Sequence, residues 1–161
     1  MWRFSLSAAG LVGILSGFGI FVGIALGGKD AEEALRSFCL WGLGSVGLLS
    51  AFRHIFLAGA MREGHEAMGL GRATFFEWEA GSANLAFGSA ALLTALGDWG
   101  VPAMSIVGIS YSIYLLGAVL ASAVVGWRAG TLRRAILFGL LTTALVAATL
   151  LRVLPALRAD L

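Results

Sequence analysis

SFCLWGLGSVGLLSAFRHIFLAG, residues 37–59, decides the fold. It carries no charge before Arg53, and it matches the roughly 20 residues needed to cross about 30 Å of hydrocarbon. Beyond a polar, glycine-broken linker the chain turns apolar again at AGSANLAFGSAALLTALG, residues 80–97. Comparable runs lie near residues 5–27, 101–126 and 134–153. This pattern predicts one all-α domain over residues 1–161, an integral membrane helical bundle of about five transmembrane helices. The third run is the shortest and follows two glutamates, so four helices, with that segment re-entrant or interfacial, is the alternative. The first run, behind Trp2 and Arg3, exceeds the 7 to 15 apolar residues of a secretory signal and lacks a small-residue cleavage site. An uncleaved helix is therefore expected there.

Composition agrees with the hydropathy pattern. Of 161 residues, 59% are hydrophobic and 12% charged, against about 25% charged in an ordinary soluble domain. Mean hydropathy is +0.92. The 23 glycines against 2 prolines suit membrane helices, in which glycine lets neighbours approach closely. Net charge is +2 and the basic residues are scattered or sit at helix ends, so no nucleic-acid surface is expected. Cys39 is the single cysteine, which excludes an intramolecular disulfide.

Loop charges orient the bundle, because short loops rich in Lys and Arg stay in the cytoplasm. Five spans put Arg3, Arg62, Arg72, Arg128, Arg133 and Arg134 on one side and Lys29, Arg36, Arg152 and Arg158 on the other. The amino terminus is therefore expected to be cytoplasmic. Trp2, Trp78, Trp99 and Trp127 fall at predicted helix ends, where amphipathic rings settle at headgroup level.

Small residues recur at helical spacing. Gly13 and Gly17 share one face of the first helix, and Gly19, Gly23 and Gly27 continue on a neighbouring face. In the second helix Gly47, Ser50 and His54 form a stripe, and in the third Gly81 and Gly88 do the same. Such faces pack within a bundle or form the seam of an oligomer. The expected partners are the lipid bilayer and, through such a seam, a homo-oligomer or a larger membrane complex.

Between the second and third runs lies a polar knot of Arg53, His54, Glu77, Glu79 and Asn84. Ionisable groups at membrane depth are costly and mark candidate sites. Arg53 is long enough to snorkel to the headgroups, whereas His54 is not. On a helix starting near Phe76, the residues Glu77, Gly81, Asn84 and Gly88 share a face, and Glu79 points about 160° away from Glu77. One glutamate should therefore face the interior while the other compensates a helix amino terminus. The linker, with His65 and Glu66, reads as a short surface helix and a turn at Gly69 to Gly71. A metal centre is not expected, because neither Glu-x-x-His nor His-x-x-x-His spacing occurs. No cofactor is expected either, a lone His54 being thin support for a heme ligand.

The motif Phe76-x-x-Glu79-x-Gly81-x-x-Asn84-Leu85-x-x-Gly88, following His54, resembles a family of small bacterial multi-pass membrane proteins known only as a domain of unknown function. The resemblance covers about the central third of the chain, with Ala67 and Gly69 standing at the linker turn. It implies a bacterial inner (cytoplasmic) membrane location and groups Glu79, more than Glu77, with His54 and Asn84. It implies no activity.

Three functions remain open at this stage. His54 changes charge near neutral pH, so a transport or channel-type component with a cytoplasmic-side polar pocket is expected first. An accessory or assembly subunit of a larger membrane complex is the alternative. A cofactor-binding subunit using His54 is the weakest. No nucleophile with its base, phosphate loop or metal-ligand spacing supports an enzyme.

Overall fold

Helix boundaries in this chain follow caps and turns more closely than they follow changes in hydropathy. The computed structural model describes residues 8–26, 30–57, 74–128 and 132–160. Among these, five helices run in alternating directions with no strand: α1 (Ala8–Ala25), α2 (Ala31–Phe56), α3 (Thr74–Leu96), α4 (Gly100–Arg128) and α5 (Leu132–Asp160). The protein is an all-α bundle. The surface helix expected in the linker, with His65, Glu66, Ala67 and Gly69, lies outside the described residues.

Helix α2 starts at Ala31, before its apolar run, because Asp30 caps it. The Asp30 carboxylate accepts from the amides of Glu32 at 2.8 Å and Glu33 at 3.1 Å, and those two glutamates lie against the positive end of the helix. Helix α3 starts at Thr74, earlier than the expected residue 80, so both Glu77 and Glu79 are inside it. Helix α5 continues through Pro155 to Asp160, well past the expected end near residue 153. Arg152, near the expected end of that helix, is well inside it, and its guanidinium donates to the Ile24 carbonyl of α1 at 2.6 Å.

A Schellman turn joins α3 to α4. The Gly97 amide donates to Leu93 O and the Trp99 amide to Thr94 O, with Asp98 in the left-handed region at φ 55° and Gly100 at φ 83°. Arg36 on α2 reinforces this end, donating to Ala95 O at 2.9 Å and pairing with Asp98 at 2.8 Å.

By length and composition, three stretches are apolar enough to cross a membrane: Ala31–Phe56, Gly100–Val124 and Gly139–Ala159. The described apolar part of α1, Ile14–Ala25, is shorter, and α3 is not among the three. The outer surface is nonetheless apolar on every helix, with Phe21, Ile106, Ile113 and Leu151 each about two-thirds or more exposed. Soluble monomers rarely display apolar surface on that scale. Trp78, Trp99 and Trp127 are exposed near helix ends.

Inside, Leu35, Phe38, Leu43, Met104, Tyr111 and Val153 are fully buried, and Cys39 sits among them. The middle of α2, Phe38–Gly44, is a π-helical stretch. Its glycines admit close neighbours on two sides: a Cβ on Gly23 of α1 would stand 2.8 Å from the Gly42 amide, and one on Gly44 2.6 Å from Leu92 of α3. Gly19 likewise faces the Trp41 carbonyl and Ser45. Gly17, expected in a packing seam, has nothing within 4 Å of an added Cβ and is exposed. Among the described glycines of α1, Gly19 and Gly23 therefore pack against α2 and Gly17 does not, because their face is the one turned toward α2. Gly13 falls within α1, but its packing lies outside the described residues.

Candidate functional site

Backbone contact between α2 and α3 builds the site. A Cβ on Gly47 would lie 2.5 Å from the Gly88 Cα and 2.8 Å from the Asn84 carbonyl, distances that no side chain tolerates. Two turns along, Gly81 faces Ile55 and the His54 Cβ at 2.6 and 3.3 Å. The helices thus run antiparallel at backbone contact distance, and His54 is carried against the first turns of α3. There His54 Nδ1 meets Glu77 Oε2 at 2.5 Å.

Glu77 is almost wholly buried, its side chain 3% exposed, while the His54 side chain keeps 21%. With Glu77 ionised its oxygens can only accept, and the imidazole then presents an Nδ1 proton to it. Burial of the carboxylate strengthens the pair electrostatically and raises the penalty for separating it. The α3–α4 hairpin sets its depth. Counting back from the turn, Glu77 is level with α4 near Val119, about 8 Å inside the end of the apolar stretch at Val124.

The other expected residues distribute themselves around this pair. Glu77, Gly81, Asn84 and Gly88 are all buried on one face of α3, as the 100° step predicts. Glu79 is exposed on the opposite side. The grouping of Glu79 with His54 is thereby corrected: helical rotation gives that place to Glu77. Arg53, next to His54, is half-buried.

Asn84 does not touch His54 and serves a different contact. Its Oδ1 accepts from the Tyr111 hydroxyl at 2.6 Å, and its Nδ2 donates to the Ala80 carbonyl at 2.7 Å, all of it buried. Tyr111 is completely buried and stacked on Phe87, with ring centroids 5.1 Å apart. Sequence reasoning passed over Tyr111. The available signal was a tyrosine inside an apolar run, since a buried phenol needs a hydrogen-bond partner.

Among the described residues no group of three or more His, Cys, Asp or Glu could hold a metal ion. A concavity of about 540 Å³ lies on α5 between Leu150 and Ala159, at the opposite end of the bundle from His54. The arrangement at His54 sets an imidazole against a buried carboxylate through Nδ1. No protein-family model, curated protein or solved structure matches the chain, so the family resemblance rests on the motif residues alone.

Proposed function

We propose that this chain is a polytopic inner-membrane protein, its five helices crossing the bilayer with the amino terminus cytoplasmic. In this reading it is a transport or channel-type component whose His54–Glu77 pair is the proton-binding element. The observation that carries the proposal is the 2.5 Å contact between His54 Nδ1 and a buried Glu77 carboxylate, inside the depth spanned by apolar α4. An ionisable pair at such depth is costly and is retained where charge movement is useful. Imidazole is the group whose charge changes near neutral pH, and Glu77 offsets the added positive charge. The pair would load from the cytoplasmic end, where arginine-rich loops place the positive side of the chain.

The glycine seam favours a second reading. Helices α1, α2 and α3 meet at backbone distance, which suits an accessory subunit in which His54–Glu77 locks helix geometry and a partner chain carries the flux.

Reconstitution separates the two. In vesicles with a fluorescent pH indicator inside, an imposed pH gradient should dissipate faster with the wild-type chain than with His54→Ala. Equal rates for wild type, His54→Ala and empty vesicles would reject the transport reading, and copurification of a second polypeptide would then support the accessory one.

A further inference from the structure

Two carboxylates stand in the first turns of α3, and the rotation of that helix decides which of them meets His54. Glu77 and Glu79 point about 160° apart, so a modest turn of α3 about its axis withdraws Glu77 from the imidazole. On the α2 side, Gly47 and Gly88 meet backbone against backbone, with Leu92 seated over Gly44 and Ile55 over Gly81 as the side-chain contacts of the seam.

On its other flank α3 is tied to α4 by one buried polar chain: Tyr111 hydroxyl to Asn84 Oδ1 at 2.6 Å, then Asn84 Nδ2 to Ala80 O at 2.7 Å. The Asn84–Ala80 bond lies within α3, so it holds the Asn84 amide while the Tyr111–Asn84 bond links the two helices, two turns from Glu77 on the same face of α3. Tyr111 is itself held, being fully buried and stacked on Phe87. In a low-dielectric interior such a bond is strong and its geometry is narrow.

We infer that Tyr111 is a positioning residue for the His54–Glu77 pair, acting through Asn84 to fix the rotation of α3. The inference rests on the proton-binding reading of that pair. Tyr114, three residues on, makes no bond to Asn84; its ring packs near Phe87 and Tyr111 at centroid distances of 5.5 and 6.2 Å. It therefore serves as the control.

The test reads the tautomer of His54, which packing alone would not move. The chain has two histidines, so His65→Gln leaves His54 as the only ring-nitrogen signal. This protein, labelled with ¹⁵N-histidine and held in lipid nanodiscs, is examined at alkaline pH, where imidazole is neutral. The reference should carry its proton on Nδ1, bonded to Glu77. Glu77→Ala should return it to the Nε2-protonated form that free imidazole prefers. Tyr111→Phe keeps the ring stack and removes only the hydroxyl, and it should lower the Nδ1-protonated fraction at least twofold, while Tyr114→Phe leaves it unchanged. Retention of the reference tautomer in Tyr111→Phe, or an equal fall in Tyr114→Phe, overturns the inference. A reference signal indifferent to Glu77→Ala overturns the underlying pair instead. If Tyr111→Phe does not fold, Asn84→Ser, too short to reach Tyr111, is read by the same criterion.

Discussion

Gly47→Ala is the smallest change that should open the α2–α3 seam. The added methyl would stand 2.5 Å from the Gly88 Cα, 2.7 Å from its amide nitrogen and 2.8 Å from the Asn84 carbonyl. All three are backbone atoms, so no rotamer change relieves the overlap. Ordinary contact lies at about 3.5–4.0 Å, which requires the helices to part by about 1 Å. Overpacking of that kind costs about 1–3 kcal/mol, against roughly 0.5–1 kcal/mol that alanine contributes over glycine within a helix. Gly17→Ala supplies the comparison, since its methyl meets nothing within 4 Å and only the helical gain remains. Equilibrium unfolding in matched detergent micelles should therefore rank Gly17→Ala above wild type and wild type above Gly47→Ala, with about 1–3 kcal/mol between the extremes. Gly47→Ala as stable as Gly17→Ala would refute the backbone contact and, with it, the placement of His54 against Glu77.

Other substitutions test the ends and the core. Asp98 occupies the left-handed region at φ 55°, so Asp98→Ala should be about 1 kcal/mol less stable than Asp98→Gly although both lose the Arg36 pair; equal melting temperatures would contradict the Schellman turn. Arg36→Ala should cost about 1 kcal/mol, and most of that loss should persist in high salt, because the bond to Ala95 O is screened less than the exposed ion pair to Asp98. Cys39 is fully buried, so a maleimide should fail to label the folded chain and label it stoichiometrically after denaturation; rapid labelling of the folded protein would show that α2 is turned differently.

The sequence made the bundle legible because hydropathy over a whole helix is a strong, summed signal. It misplaced boundaries where one residue outweighs the sum: the Asp30 cap pulls α2 back over Glu32 and Glu33, and the helix of Arg152 runs on through Pro155. The buried face of α3 was legible from the 100° step alone, which puts Glu77, Gly81, Asn84 and Gly88 together. The motif resemblance pointed to Glu79, and helical geometry prevails because the side-chain direction at one end of a helix is fixed by the packing of the rest. Glycine spacing could not tell Gly17 from Gly19, since both faces of α1 carry the same repeat and only the position of α2 separates them. Tyr111 was hidden for a related reason: its partner is remote in sequence, and no local pattern announces a contact between α3 and α4.

The proposed proton-binding role of His54 and Glu77 is tested most directly by proton flux in vesicles containing wild type, Glu77→Gln or Glu79→Gln at equal protein density. Removing the buried charge that holds His54 should reduce flux at least tenfold in Glu77→Gln, whereas Glu79→Gln, exposed on the far side of α3, should stay within twofold of wild type. Wild-type flux in Glu77→Gln, or a greater loss in Glu79→Gln, would contradict the assignment.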